Sequence, residues 1–219
     1  MFAFLSYAAD DRQTAHAIRD LLTKLNIESF LAHEDIGVSE EWRSTLLKRI
    51  RKTDMFIAIL SQRYFKSVWC VQESGIAVFR GMTIIPLSID GTIPEGFLAH
   101  FQSTKIDPDA PSLVPLLAGA AKLDIKRVIE AIIDIIESSR SFRTAETNFE
   151  LILPYVARSS KNQIVRLLEV STANKQICHA SRCASEYLPP LLKSHGSHLR
   201  AEVRDELQGV LAQYEKPKR

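Results

Sequence analysis

Residues 55–60 restrict the fold of this chain more than any other segment. They read Met-Phe-Ile-Ala-Ile-Leu, so six consecutive side chains are apolar between Asp54 and Ser61. A run this short and this uniformly apolar is typical of a strand buried on both faces, because a strand with one solvated face alternates polar and apolar residues. Such a strand belongs in the interior of a parallel sheet that helices cover on both sides.

Weaker strand patterns alternate with helical patterns over residues 1–110. Further strands are predicted at residues 2–7, 28–32 and 83–89, with a weak fifth at 101–106. Apolar residues recur at helical spacing between Ala15 and Leu25, and again between Trp42 and Ile50. Because strands and helices alternate, the sequence predicts an α/β fold with a five-stranded parallel sheet.

The strand pattern stops after Pro111. Apolar residues from Ile125 to Ile136 recur at positions i, i+3, i+4 and i+7, which predicts an amphipathic helix. Residues 138–141 are rich in serine and are predicted to form a hinge, and short amphipathic helices separated by prolines and serines follow. We therefore predict one α/β domain over residues 1–139 and a small helical C-terminal region over residues 140–219.

The composition argues against several classes of function. The 219 residues include 28 Lys and Arg against 26 Asp and Glu, a formal net charge of +2, and the basic residues are interspersed with acidic ones. This gives no electrostatic basis for binding nucleic acid. No apolar run is long enough to cross a bilayer and the N-terminus lacks a signal-peptide pattern, so no membrane partner is expected. Three cysteines cannot all pair within one chain, which fits a cytoplasmic location.

Residues 69–79 follow the central strand and predict a short helix with a single formal charge, Glu73. The other residues of this helix are almost all apolar, so we expect it to be buried against the sheet. A glutamate on the solvated edge of such a helix needs no function, because it favours the N-terminal turns through the helix dipole. The helix, however, starts near the carboxyl end of the central strand, where parallel sheets bind their ligands. A lone acid there is a candidate catalytic residue.

Two other families with this alternation of strands and helices lack support in the residues that they require. A dinucleotide-binding domain needs a glycine-rich turn after the first strand, and residues 7–11 contain no glycine. A response-regulator receiver needs an acceptor aspartate at the end of the third strand, where this chain has Ser61 and Gln62. Residues 178–198 contain cysteines and histidines, but their spacing does not match a zinc framework, and no metal site is predicted.

Three motifs in the right order resemble the TIR (Toll/interleukin receptor) domain family. They are Phe-Leu-Ser-Tyr at residues 4–7, Phe-Leu-Ala-His-Glu-Asp-Ile at residues 30–36 with Ser39 and Trp42 after it, and Trp-x-x-x-Glu at residues 69–73. The resemblance covers roughly residues 1–110 and implies a flavodoxin-like fold. It is closest to bacterial TIR proteins of antiphage defence, including the Thoeris type, which cleave NAD and in several cases make cyclic ADP-ribose isomers as signals.

The resemblance implies a role for each motif. The glutamate of the Trp-x-x-x-Glu motif is catalytic in the family, which makes Glu73 the expected catalytic residue. The loop after the second strand gates the site and mediates self-association in the family, and it corresponds to residues 33–39. The residues expected to bind NAD are Ser6, Tyr7, Phe30, His33, Asp35 and Trp69. For Phe30 and Trp69, the alternative is packing in the core.

The chemistry of NAD cleavage explains why one carboxylate is enough. Nicotinamide leaves as a neutral molecule from a cationic precursor, so its departure needs no general acid, unlike ordinary glycoside hydrolysis. Positive charge develops on the ribose as the bond breaks, and a preplaced Glu73 stabilises that charge. Sequence leaves open whether water or another part of the same molecule attacks, and therefore whether the product is ADP-ribose or a cyclic isomer.

Further expectations concern partners and phosphate binding. No cofactor is expected, since NAD is the substrate, and an effector that senses the nucleotide product is an expected downstream partner. Animal TIR enzymes that resemble this site carry a basic residue after the first-strand tyrosine, where this chain has Ala8 and Ala9, so the group that holds the NAD phosphates stays open. The alternative function is a non-catalytic TIR scaffold that acts through TIR–TIR assembly.

Overall fold

The computed structural model describes residues 1–32 and 42–214. Its contacts divide the chain into two compact units, Met1–Ile125 and Lys126–Arg219. Within the described residues, no helix combines the length and the hydropathy that a membrane span requires.

The first unit is built on a parallel sheet of five strands. The strands are β1 (Phe2–Tyr7), β2 (Glu28–Leu31), β3 (Met55–Leu60), β4 (Thr83–Ser88) and β5 (Thr104–Lys105). Their order across the sheet is β2-β1-β3-β4-β5, with all neighbours parallel. This is the flavodoxin-like order, in which the chain reverses direction across the sheet between β1 and β3. The predicted fold class and the central place of residues 55–60 are confirmed.

Four helices of the first unit flank the strands. They are α1 (Arg12–Lys24), α2 (Trp42–Arg51), α3 (Val68–Phe79) and α4 (Val114–Leu123). The first three follow patterns seen in the sequence. Helix α4 was not predicted, because Leu, Gly and Ala are buried on most of its sides and the sequence therefore shows no amphipathic stripe.

The period of two along each strand separates the core into two layers. Phe4 stacks on Phe56 of the neighbouring strand, with ring centroids 5.7 Å apart, and these rings join one hydrophobic cluster with Ile50 of α2 and Cys70 of α3. Side chains on this face therefore meet α2 and α3. Ile85, one residue along from the cluster member Ile84, faces α4 instead.

Helix α3 turns apolar residues toward solvent and small or polar residues toward the sheet. The expectation that its apolar side chains are buried is wrong for Val71 and Phe79, which are 41% and 92% exposed. The residues that it buries are Cys70, Glu73, Ser74 and Ala77. These four recur at helical spacing and form one face, so Val71 and Phe79 fall outside it.

The second unit is helical. It contains α5 (Ile125–Glu137), α6 (Phe142–Glu150), α7 (Lys161–Ala173), α8 (Lys175–Cys178), α9 (Leu188–His195) and α10 (Ala201–Ala212), with a π-helical turn at Cys183–Tyr187. The predicted stripe of α5 is confirmed, since Val128, Ile132 and Ile136 are all buried.

The division falls after Ile125, the first residue of α5, so the rest of α5 belongs to the second unit, whereas the predicted boundary at residue 139 follows the helix. Arg166 of α7 explains the grouping, because its guanidinium binds Glu130 at 2.8 Å and Asp134 at 2.6 Å on α5. Ser139, one residue of the predicted hinge at residues 138–141, accepts hydrogen bonds from two asparagines of the same unit. Asn148 donates to Ser139 Oγ at 3.0 Å, and Asn174 donates to the Ser139 carbonyl at 2.9 Å.

Gly119 provides a test of the packing of α4 on the sheet. A Cβ atom at this position would lie 2.1 Å from Ile85 Cδ1 and 2.6 Å from its Cγ1. We expect Gly119→Ala to lower the free energy of unfolding by about 1–3 kcal/mol, since a close-packed interface must shift to admit the methyl group. Urea unfolding followed by circular dichroism, which reports on the helices of both units, measures this.

Gly209 of α10 is the matched control for that substitution. It is also a helical glycine, but nothing lies within 4 Å of an added Cβ atom. Gly209→Ala should therefore be neutral or stabilising, through helix propensity alone. Equal unfolding midpoints for Gly119→Ala and the wild type would show that α4 packs less tightly than described.

Candidate active site

Strand β1 and helix α3 place Ser6 and Glu73 together at the carboxyl end of the sheet. Ser6 is the penultimate residue of β1 and is paired in register with Ala58 of β3. After β3 the chain makes a short 3-10 turn at Tyr64–Lys66 and enters α3, whose N-cap Ser67 accepts a hydrogen bond from the Cys70 amide. Glu73 then lies in the second turn of α3, on the face that meets Ser6.

The carboxyl group of Glu73 is buried, and one of its two oxygens has a hydrogen-bond partner. Glu73 is only 1% exposed, and Ser6 Oγ lies 2.5 Å from Oε2. The other oxygen, Oε1, is buried and has no hydrogen-bond partner among the described residues. Burial raises the pKa of Glu73 to about 8, and the Ser6 hydrogen bond offsets this in part. The group therefore holds a proton more tightly than an ordinary glutamate.

Two further hydroxyls extend the contact between Ser6 and Glu73. Tyr64 Oη lies 3.0 Å from Ser6 Oγ and 2.9 Å from Ser74 Oγ, and Ser74 Oγ lies 2.8 Å from the Cys70 carbonyl oxygen. All of these atoms are buried. Sequence reasoning missed Tyr64 and Ser74. The available signal was Ser74, a polar residue beside Glu73 on the face of α3 that carries the buried small residues.

The remaining predicted substrate-binding residues lie in different surroundings. Phe30 is in the core, where its ring is 5.4 Å from that of Phe4 and lies beneath the Arg49 guanidinium. Tyr7 follows Ser6 on β1, so its side chain points to the opposite face of the sheet, and its carbonyl accepts a hydrogen bond from the Cys70 thiol. His33 and Asp35 lie outside the described residues.

Trp69 lies one helical turn before Glu73 on α3 and is 42% exposed. Residues at positions i and i+4 share a helix face, so Trp69 neighbours Glu73 along α3. Among the predicted residues, the structure thus brings Ser6 into contact with Glu73 and places Trp69 one turn before Glu73 on the same helix.

A second polar cluster lies at the carboxyl ends of β1 and β3. The buried Asp11 carboxylate accepts hydrogen bonds from Ser61 Oγ at 2.6 Å and from Arg63 at 2.9 Å, and Arg63 also pairs with Asp10 at 3.4 Å. Asp11 precedes α1 but its side chain does not cap that helix, because it is bonded instead to Ser61 and Arg63, which follow β3.

No group of three His, Cys, Asp or Glu side chains that could hold a metal ion is found among the described residues.

A flavodoxin-like parallel sheet with a buried carboxyl group on the helix after β3 defines an α/β domain with a candidate catalytic acid at its ligand-binding edge. The chain belongs to the TIR domain family, because the family model for the TIR domain matches residues 3–113, just over half of its length. This family includes both NAD-cleaving enzymes and scaffold members, and it acts in signalling.

Among solved structures, the chain is similar to the TIR domain of the Toll-related receptor TRR-2 from the lower metazoan Hydra magnipapillata. The identity is 21% and the TM-score 0.45, over 56% of this chain and 96% of the Hydra chain. No match was found among curated proteins. The family assignment rests on the match over residues 3–113.

Proposed function

We propose that this protein is an enzyme that cleaves the bond between nicotinamide and ribose in NAD, with Glu73 as its catalytic residue. The observation that carries the proposal is the Glu73 side chain, which is buried at the ligand-binding edge of the sheet with Oε1 unpartnered among the described residues. A carboxyl oxygen left without a partner in an apolar interior is costly unless a ligand completes it. A ribose hydroxyl is a donor that fits this oxygen.

The carboxylate form of Glu73 stabilises the transition state. Nicotinamide departs as a neutral leaving group and positive charge builds on the ribose. The fixed negative charge of a buried carboxylate stabilises that positive charge strongly. The bound substrate favours this form of Glu73. The nicotinamide ring of NAD is cationic, and a neighbouring opposite charge lowers the pKa of a carboxyl group.

The other predicted residues have supporting roles in this proposal. Ser6 orients the carboxyl group through its contact with Oε2, and Trp69 forms a wall of the ribose or nicotinamide pocket. His33 and Asp35, which lie outside the described residues, are proposed to bind the substrate as the resemblance implies. Phe30 acts from the core, by holding the end of β2 in place against Phe4.

The product is ADP-ribose if water attacks the ribose, and a cyclic isomer if a nitrogen or hydroxyl of the same molecule attacks. Because the chain resembles Thoeris-type proteins, we propose that its product is a cyclic ADP-ribose isomer. This product would signal to a downstream effector in bacterial antiphage defence. The protein is then an NAD glycohydrolase of the ADP-ribosyl cyclase type.

Incubation of the purified protein with NAD tests the proposal. Products are separated by chromatography and identified by mass spectrometry, which distinguishes nicotinamide, ADP-ribose and cyclic isomers of equal composition but different retention. Protein concentration is varied over a wide range so that an assembled form is sampled. Intact NAD at every concentration contradicts the proposed enzyme.

The second candidate function is a TIR scaffold that acts by assembling with further copies of the chain. A specific observation favours assembly: α3 exposes Val68, Val71 and Phe79, and the exposed Phe97 places its ring against Gly75 of the same helix. Phe79 and Phe97 are 92% and 64% exposed. Adjacent exposed aromatic residues of this kind mark association surfaces. Assembly through α3 is compatible with catalysis, since Glu73 lies on the opposite face of the same helix.

We expect Phe79→Glu to shift association of the chain to at least about tenfold higher concentration, because a charge at the centre of an apolar contact is desolvated without a partner. Light scattering after size exclusion measures this across protein concentrations. Phe142→Glu is the matched control, since Phe142 is a 51% exposed phenylalanine in the second unit. Equal shifts in both variants, or none in Phe79→Glu, would count against self-association through α3.

A further inference from the structure

Three buried hydroxyls beneath α3 form a continuous line that we call the hydroxyl chain: Ser6, Tyr64 and Ser74. Ser6 and Tyr64 are fully buried and Ser74 is 3% exposed. One end of the hydroxyl chain meets Glu73 Oε2, and the other meets the Cys70 carbonyl oxygen. A carbonyl oxygen accepts hydrogen bonds and never donates them, so this end is closed.

The hydroxyl chain makes four oxygen–oxygen contacts. They measure 2.5 Å between Glu73 and Ser6, 3.0 Å between Ser6 and Tyr64, 2.9 Å between Tyr64 and Ser74, and 2.8 Å between Ser74 and Cys70. Each distance is that of a hydrogen bond, and each bond needs one proton. Three hydroxyls supply only three protons. The fourth has to come from the Glu73 carboxyl group.

With Glu73 neutral, every contact has its proton. A proton on Oε2 is donated to Ser6, Ser6 then donates to Tyr64, Tyr64 to Ser74, and Ser74 to the Cys70 carbonyl. With Glu73 ionised, Ser6 donates to the carboxylate and Tyr64 donates to Ser6, which are the directions that these two bonds have in the structure. Ser74 then has one proton for two neighbours, so one buried contact loses its hydrogen bond.

We propose that Tyr64 is a positioning residue for Glu73, whose hydroxyl links Ser6 to Ser74 so that the hydroxyl chain is complete only while Glu73 keeps its proton on Oε2. This assignment rests on the proposed function, because Tyr64 takes part in the reaction only if Glu73 is the catalytic residue. The proton on Oε2 leaves Oε1 as a bare acceptor for a substrate hydroxyl. Ionisation of Glu73 releases the Oε2 proton to solvent and costs one buried hydrogen bond, a cost that the cationic substrate offsets.

Nothing charged competes with the hydroxyl chain for Glu73 among the described groups that influence its ionisation. The shift in the pKa of Glu73 has two causes, burial and the Ser6 hydrogen bond. The titratable groups that face it are Tyr64, from the turn before α3, and Cys70, from α3 itself. Burial raises the pKa of both, to about 11 for Cys70, so both are neutral where Glu73 titrates. Lys66 in the same turn as Tyr64 is exposed to solvent.

The number of protons available to the remaining contacts predicts whether each variant raises or lowers the pKa of Glu73. In Tyr64→Phe two contacts remain, and the protons of Ser6 and Ser74 fill both, so ionisation no longer costs a bond and the pKa of Glu73 falls by about 0.5–1. In Ser74→Ala two contacts remain and the protons of Ser6 and Tyr64 fill them, so the pKa falls again. In Ser6→Ala the carboxylate loses its donor, and the pKa rises.

Carbon-13 NMR of the full chain labelled at the glutamate carboxyl carbons measures these values in the absence of NAD. The Glu73 signal is the one missing from Glu73→Gln. A pH titration of each variant should give lower midpoints for Tyr64→Phe and Ser74→Ala than for the wild type, and a higher midpoint for Ser6→Ala. An unchanged or higher midpoint in the first two overturns the proposal. If Tyr64→Phe fails to fold, Ser74→Ala makes the same test.

Matched controls come from the second unit. Tyr214 donates to the His179 carbonyl, and Ser171 donates to the carbonyl four residues before it, as Ser74 does when it bonds Cys70. Tyr214→Phe and Ser171→Ala should leave the Glu73 midpoint unchanged, and a shift equal to that of Tyr64→Phe overturns the proposal.

Turnover of NAD is the separate readout. In active protein, the pH midpoint of kcat/KM should move in the same direction as the NMR midpoint in each variant. If the NMR midpoints shift as predicted but the wild type does not cleave NAD, the proposed function is refuted and the proton count stands. If the wild type cleaves NAD but the midpoints do not shift in the predicted directions, only the role of Tyr64 is refuted.

Discussion

Glu73→Gln is expected to lower the rate of NAD cleavage by about 10²–10³ while the chain stays folded. The amide has nearly the shape of the carboxyl group, so it fits the same buried space beside Ser6. The amide carries no negative charge at any pH, however, and cannot stabilise the positive charge that develops on the ribose. The loss should appear in kcat as well as in kcat/KM, because the missing interaction is made in the transition state.

Glu95→Gln is the matched control for this expectation. Glu95 is an exposed glutamate of the same unit, so its substitution removes one charge without touching the site. Nicotinamide release measured at saturating NAD should be unchanged in Glu95→Gln and nearly absent in Glu73→Gln. Comparable turnover by Glu73→Gln and the wild type would remove Glu73 from its proposed role even if NAD is cleaved.

The sheet could be predicted from the sequence because its interior strands are buried on both faces. All six residues of β3 are buried, which is why residues 55–60 are uniformly apolar. The prediction was least accurate for β5, which has two exposed residues, Thr104 and Lys105, at the edge of the sheet. An exposed edge strand needs no apolar pattern, so the sequence carries little sign of its extent.

The faces of α3 could not be assigned from its composition. A helix that is apolar on nearly every side gives no hydrophobic direction, and the single charge suggested that the rest was buried. In the structure, Glu73 lies on the buried side and Phe79 on the exposed one. The reason is that Ser6 and Tyr64, from distant parts of the sequence, give the buried side its polar partners.

The candidate site shows the same division between local and distant signals. Glu73 stands out as a lone charge, and Ser6 is found because it ends a strand. Tyr64 and Ser74 bond to Ser6 and to each other only after β1 and α3 have packed, so no sequence spacing indicates them. Phe30 was predicted to bind the substrate because it lies near the end of a strand. The alternation of side chains along β2 instead places its ring in the core beside Phe4.

The stability of the protein is expected to fall as the pH rises, and Glu73→Gln should remove much of that fall. Burial raises the pKa of Glu73 from 4.5 to about 8 in the folded state. Between those two values the unfolded chain has released a proton that the folded chain keeps, so each increase in pH favours unfolding. The stabilising contribution is complete below pH 4.5 and lost as the pH passes about 8.

Glutamine cannot release a proton, so Glu73→Gln lacks this dependence. At pH 4.5 the two proteins should unfold with similar free energies, since a neutral carboxyl group and an amide are alike in size and charge. At pH 9 the variant should be more stable than the wild type by about 2–4 kcal/mol, because it need not bury a charge. The same substitution that removes catalysis therefore stabilises the fold at high pH.

Urea unfolding at a series of pH values measures the difference directly. Both tryptophans, Trp42 and Trp69, belong to the first unit, so their fluorescence follows the unit that contains Glu73. Other groups titrate equally in both proteins, and subtracting one curve from the other leaves the contribution of Glu73. Glu95→Gln should follow the wild type at every pH. Parallel curves for Glu73→Gln and the wild type would mean that Glu73 ionises as freely in the folded protein as in the unfolded chain, and the buried environment that supports catalysis would then be absent.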